Sequence, residues 1–214
     1  MPGSGVVLPG MRFHFTSRIA RLTTASWFIF ALCPGADVAG AGSGKPLPAF
    51  GQVEQFVKDQ FAALDGFRAG DVISDSQVIP VLDGLAELGW KVPDRDKIQQ
   101  AVLPDGSFLV RELRTKPGRR FAPQLARIPQ GYERLDRLSQ LPRGKQTVHD
   151  LIRAKDGYKL IQYMNEAQGG RNLNKMLART PAGGNFNQPT DKIYTVNQLL
   201  DRLRLSYEMT AAGP

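Results

Sequence analysis

The stretch FGQVEQFVKDQFAALDG, residues 50–66, decides the fold class. Val53, Phe56, Val57, Phe61 and Leu64 recur every three or four residues, the spacing of one face of an amphipathic α-helix. Asp65-Gly66 ends the pattern, with Gly66 in the role of a C-cap. The same period returns along the chain, so the fold is expected to be mainly α, a single domain of many short helices broken by Gly and Pro.

Working outward, Val78, Val81, Leu82, Leu85 and Leu88 predict a second helix that Gly89 ends. With Ser76 as its N-cap, Pro80 falls in the first turn, where the missing N–H costs no helical bond. Asp94 to Val102 suits a short helix with Asp94 and Asp96 near its positive end. Ser107 to Thr115 reads either way: Phe108-Leu109-Val110 starts like a strand, while Leu109 with Leu113 suits a helix. Lys116-Pro117-Gly118 reads as a break. Phe121, Leu125 and Ile128 space a further helix around Pro123, and Tyr132, Leu135, Leu138 and Leu141 another. Thr147 opens a T-V-H-D capping pattern for a helix through Ile152. Tyr158 to Asn165 is helix or strand, ended by Gly169-Gly170, and Leu173, Met176 and Leu177 suit a short helix. After an irregular loop at 183–191, Thr195 with Gln198 makes a capping box. The helix that follows buries Val196, Leu199, Leu200, Leu203 and Tyr207 on one face.

Residues 50–115 resemble a paired EF-hand. Helices are expected at 50–64, 76–88 and 94–102, with a fourth after Gly106. Gly70 and Gly106 hold the sharp-turn position of two loops, 36 residues apart, and each is followed two residues on by an apolar residue, Val72 or Phe108. The resemblance implies a two-stranded mini-ribbon around Val72 and Phe108, and a calcium-responsive module with Asp65, Asp71, Asp105 and Glu112 as ligands. The loops depart from the family pattern. Phe67 and Ala69 occupy ligand positions in the first, and Ala101 and Leu103 in the second. Calcium requires six to eight oxygens, so no metal and no cofactor is expected.

Residues 11–41 read as an export signal. Arg12, Arg18 and Arg21 form a positive region, Leu22 to Cys33 an apolar run, and Ala39-Gly40-Ala41 a small-residue cleavage site. The run is shorter than the about 20 apolar residues that span a bilayer. MPGSGVVLPG, residues 1–10, does not fit the positive region, so this reading favours Met11 over Met1 as the start. The expected location is secreted or periplasmic, with no transmembrane span once the signal is removed. Residues 42–49 form a leader and residues 50–214 the helical domain.

Removal of residues 1–41 takes away Cys33, the one cysteine, and leaves His149 as the one histidine. Disulfides, Cys/His zinc sites, a cysteine nucleophile and a C-x-x-C redox pair are thereby excluded. No G-x-S-x-G elbow accompanies His149, which reads as a solvated first-turn residue. Carboxylate pairs exist, Asp65 with Asp71 and Asp94 with Asp96, and keep a carboxylate-based hydrolase as a third reading; no catalytic residue is assigned.

The whole chain carries +8 and residues 42–214 carry +6. Residues 111–145 alone hold ten Lys/Arg against three acids, more positive charge than the chain nets after residue 41. Such a basic face attracts polyanions through field focusing and counterion release. Arg114, Lys116, Arg119 and Arg120 are its anion-binding candidates, and Gly118-Arg119-Arg120 also suits an anion-binding helix start. Phe121 and Tyr132, the aromatics of this window, sit at core spacing, so no stacking platform for specific nucleic-acid recognition is expected. The leading reading is an exported, non-catalytic binding or scaffolding protein whose partner is an anionic polymer or a protein.

Overall fold

Ten α-helices form among the described residues of the computed structural model, which describes residues 46–68, 70–180, 186 and 190–213. The mainly α class therefore holds. The export segment 11–41, with Cys33 and His14, lies outside the described residues, and no helix among those described is long and apolar enough to cross a membrane.

Two hydrophobic cores divide the helices. The first gathers α1 (Phe50–Ala62), α2 (Asp75–Leu88), α3 (Arg95–Ala101) and α10 (Val196–Ala211) around Val53, Val57, Phe61, Leu82, Leu85, Trp90, Leu199 and Leu203. Its long helices start on side-chain caps. At α2 the backbone N–H of Ser74 donates to Gln77 Oε1 at 3.0 Å, and at α10 that of Thr195 donates to Gln198 Oε1 at 3.1 Å. Pro48, just before α1, is buried, and its carbonyl accepts from the Tyr207 hydroxyl at 2.7 Å.

The second core is an array of six short helices: α4 (Phe108–Leu113), α5 (Lys116–Leu125), α6 (Gly131–Gln140), α7 (Gly144–Arg153), α8 (Tyr158–Glu166) and α9 (Gln168–Ala178). Gly118, Gly131, Gly144, Gly157 and Gly170 recur every thirteen residues, each at or near the start of a helix. A Cβ on any of them would overlap a main-chain carbonyl oxygen of the helix before, that of Glu112, Leu125, Leu138, Leu151 or Tyr163 respectively. Successive helices thus meet backbone to backbone at a repeated corner that excludes every side chain. Counted from each glycine, the fifth residue (Ala122, Leu135, Val148, Ile161, Asn174) is buried, and the eighth (Leu125, Leu138, Leu151, Met164, Leu177) is buried or half-buried.

Three extended segments run between the cores. Ile73 N donates to Tyr194 O at 2.9 Å, Ile193 N to Ala101 O at 2.8 Å and Asp75 N to Leu103 O at 3.1 Å. Side chains alternate sides along an extended chain. Accordingly Val72, Leu103 and Tyr194 enter the array core, while Ile73, Val102 and Ile193 enter the other. This replaces the mini-ribbon expected around Val72 and Phe108, for which there is no pairing among the described residues. Phe108 is already helical, because Ser107 Oγ accepts from Val110 N and starts α4 there.

Four other expectations are corrected. Lys116-Pro117-Gly118 starts α5 rather than breaking the chain, since proline is tolerated in a first turn. Gly169-Gly170 lies in the first turn of α9 rather than ending α8. Thr147 caps nothing: α7 begins at Gly144, and the Thr147 hydroxyl donates to Arg143 O. Finally, α2 begins at Asp75, so Pro80 lies inside it at the loss of one helical bond.

Candidate anion-binding basin

The α4–α5 corner sets the site. Thr115 Oγ1 donates to Glu112 O at 2.6 Å and accepts from Gly118 N at 3.2 Å, closing one helix and opening the next. Because Gly118 lies directly on the Glu112 carbonyl, the start of α5 cannot shift. Lys116, Arg119 and Arg120 are thereby fixed on its first turns, where no acidic residue stands.

The loop between α1 and α2 supplies the facing wall. Gly66 and Gly70 adopt left-handed backbone, with φ of 72° and 90°. Asp71 Oδ2 accepts from Arg68 N at 2.9 Å, and the Tyr132 hydroxyl donates to Gly70 O, tying the loop to α6. Burial, helped by the charge of Asp71, pushes the Tyr132 phenol far above its ordinary value, so it stays a donor.

Arg68, Arg114, Lys116, Arg119 and Arg120 line one hollow of about 420 Å³ with no acidic residue in its wall. All four sequence candidates converge here; Arg68 was missed because it lies 46 residues before Arg114 and outside the basic window. All five are exposed. Arg114 is committed to structure: its Nη2 donates to Ser74 Oγ at 2.7 Å and Gln77 Oε1 at 3.0 Å, and its Nη1 lies 3.5 Å from Asp105. Arg68, Lys116, Arg119 and Arg120 have no ion pair with a described carboxylate. Cations at a helix N-terminus oppose the helix dipole, and like charges in one hollow repel. An anion in the hollow removes both penalties.

The other basic residues of the window, Arg111, Arg127, Arg134, Arg137, Arg143 and Lys145, do not line this hollow. Arg134 is buried, with Nη2 donating to Asn165 Oδ1 at 3.0 Å. The four carboxylates of the EF-hand-like reading do not come together either. Among the described residues, no group of three or more His, Cys, Asp or Glu could hold a metal ion. Hydrogen bonds from Ser74 and Ser76, then the charge of Arg114, hold the Asp105 carboxyl below its ordinary value. Glu112 faces α7, where His149 Nδ1 lies 3.1 Å and Arg153 Nη1 3.0 Å from its Oε2. His149 is therefore a mid-helix partner of Glu112 and not a first-turn residue. Asp94 pairs with Lys97 at 2.8 Å. Asp65 and Asp71 do share a cleft, of about 210 Å³, whose far wall is Arg114 and Arg119.

A larger hollow of about 690 Å³ is lined by Phe61, Phe67, Gly70, Ile128 and Tyr132, among others. Of its two cations, Lys58 and Arg127, the first is already paired with Glu54 at 2.7 Å, and no cluster of cations comparable to that of the basin lines it.

Comparison of the chain with protein-family models, with curated proteins and with solved structures finds no match in any of the three.

Proposed function

We propose that the chain is an exported, non-catalytic binding protein that holds an anionic polymer or an acidic partner of the periplasm or cell exterior in the Arg68–Arg120 basin. The observation that carries this reading is the convergence of Arg68, from the α1–α2 loop, with Lys116, Arg119 and Arg120 of the first turns of α5, none of them with a described carboxylate partner. Four exposed cations in one hollow, three of them placed against a helix dipole, destabilise the free protein and reward an anion twice, by Coulomb attraction and by counterion release. The signal-like segment 11–41 supports the location and points to envelope or extracellular anions.

The test is retention on heparin, a generic polyanion, across a salt gradient. Wild type is expected to elute well above physiological salt, and K116E/R119E/R120E at or below it. The variant should also melt no lower than wild type, because acids at a helix start are favourable by about 0.3–1 kcal/mol each. Equal retention of the two proteins overturns the reading.

A further inference from the structure

We propose that the anion held in the basin belongs to an acidic polysaccharide, whose sugar hydroxyls are taken by Asp65 and Asp71 in the adjoining cleft. The proposal rests on the basin being a binding site.

The basin and the cleft are neighbours through two shared side chains, Arg114 and Arg119, which line both. Passing between these guanidinium groups changes the chemistry abruptly. On one side stand three further cations, Arg68, Lys116 and Arg120; on the other stand the carboxylates of Asp65 and Asp71 beside Leu64, Phe67 and Val72. Asp65 has no hydrogen-bond or ion-pair partner among the described residues. Asp71 uses Oδ2 on the Arg68 N–H, and this bond also sets Arg68 in the opposite wall.

A polymer charged at every unit, such as a nucleic acid, would gain in the basin and lose that gain one unit further on, where two carboxylates offset the two shared guanidinium groups. An ionised carboxylate only accepts hydrogen bonds, so the cleft asks for donors. A polymer whose anionic groups alternate with hydroxyl-rich rings satisfies both sides. Its carboxylate or sulfate meets the forked guanidinium donors, its hydroxyls donate to Asp65 and Asp71 in charge-assisted bonds, and its C–H faces cover the apolar wall.

The experiment measures binding of the full chain to polygalacturonate and to a single-stranded DNA oligomer of equal charge, at one fixed ionic strength. Wild type is expected to bind polygalacturonate the more tightly. Asp65→Ala should weaken polygalacturonate binding by about tenfold, the loss of a charge-assisted hydrogen bond, while leaving DNA binding unchanged or tighter. Asp65→Asn, which keeps an acceptor oxygen, should fall between the two, and unchanged melting temperatures establish that both variants fold. Tighter binding of both polymers by Asp65→Ala, or a wild-type preference for DNA, overturns the polysaccharide assignment and leaves the basin standing. Wild-type binding of neither polymer, or equal binding by K116E/R119E/R120E, overturns the basin itself and the assignment with it.

Discussion

The two cores reach the same secondary structure by different physics. In the core of α1, α2, α3 and α10, helix starts are written in side chains: Ser74 with Gln77, and Thr195 with Gln198. In the array of α4 to α9, the later starts have no side-chain cap, and the left-handed Gln130 and Arg143 lead into Gly131 and Gly144. There the determinant is an absence of side chain, a glycine that lets one helix rest on the carbonyl of the last. The first core tolerates a changed residue wherever there is room. The array has five places where there is none, and the basin is built on one of them, Gly118.

The largest effect expected from this difference is at Gly144. Gly144→Ala drives a methyl into the Leu138 carbonyl, which a helix packed on a helix cannot relieve without moving α7. A loss of about 3 kcal/mol is expected in denaturant unfolding, the upper range of overpacking. Gly51→Ala, in α1 with nothing within 4 Å of the new methyl, should instead gain about 0.5–1 kcal/mol from helix propensity. Similar results for the two substitutions would break the comparison at its root.

The sequence was legible where side chains carry the information. Periodicity located α1, α2 and α10 with their buried faces, because apolar residues three and four apart can do little else over that length. The Thr195–Gln198 box located the last helix to the residue. The array was misread where glycine was taken as punctuation: Lys116-Pro117-Gly118 and Gly169-Gly170 read as breaks and are helix starts. The recurrence at thirteen residues was present in the sequence, but a turn glycine and a close-packed glycine are the same letter, and only the carbonyl beneath tells them apart. Of the site, the four basic residues of one corner were legible because they are close in sequence. Asp65 and Asp71 were legible as a carboxylate pair, but their place beside the basin and that of Arg68 were not, because a loop joined to another core carries them there.

A smaller effect sharpens the same contrast through two threonines that look alike in sequence. Thr195 caps α10 and forms a reciprocal pair with Gln198, so Thr195→Ala should cost about 1 kcal/mol. Thr147 heads the equally suggestive T-V-H-D, yet it lies inside α7 and is exposed. Thr147→Ala should stay within about 0.5 kcal/mol of wild type. Equal losses in urea unfolding would mean that α7 starts at a side-chain cap after all.

The smallest effect concerns acid. Each core has a carboxylate held below the ordinary Glu value of 4.5, Glu54 in one and Glu112 in the other. Glu54 lies at the surface, half-exposed, and pairs with its own helix neighbour Lys58, so it adds little to stability. Glu112 joins α4 to α7. Burial opposes its charge, but the hydrogen bonds and charges of Arg153 and His149 outweigh it. A folded value below the unfolded one means that Glu112 contributes fully above 4.5 and that the contribution fades as the pH falls through the lowered value. Glu112→Gln should therefore lower the melting temperature by about 2 °C at pH 7, and the gap from wild type should close by pH 3. Glu54→Gln should show almost no gap at either pH. A Glu112→Gln gap that persists undiminished in acid would mean that shape, rather than charge, joins the two helices, leaving the array no more acid-sensitive than its neighbour.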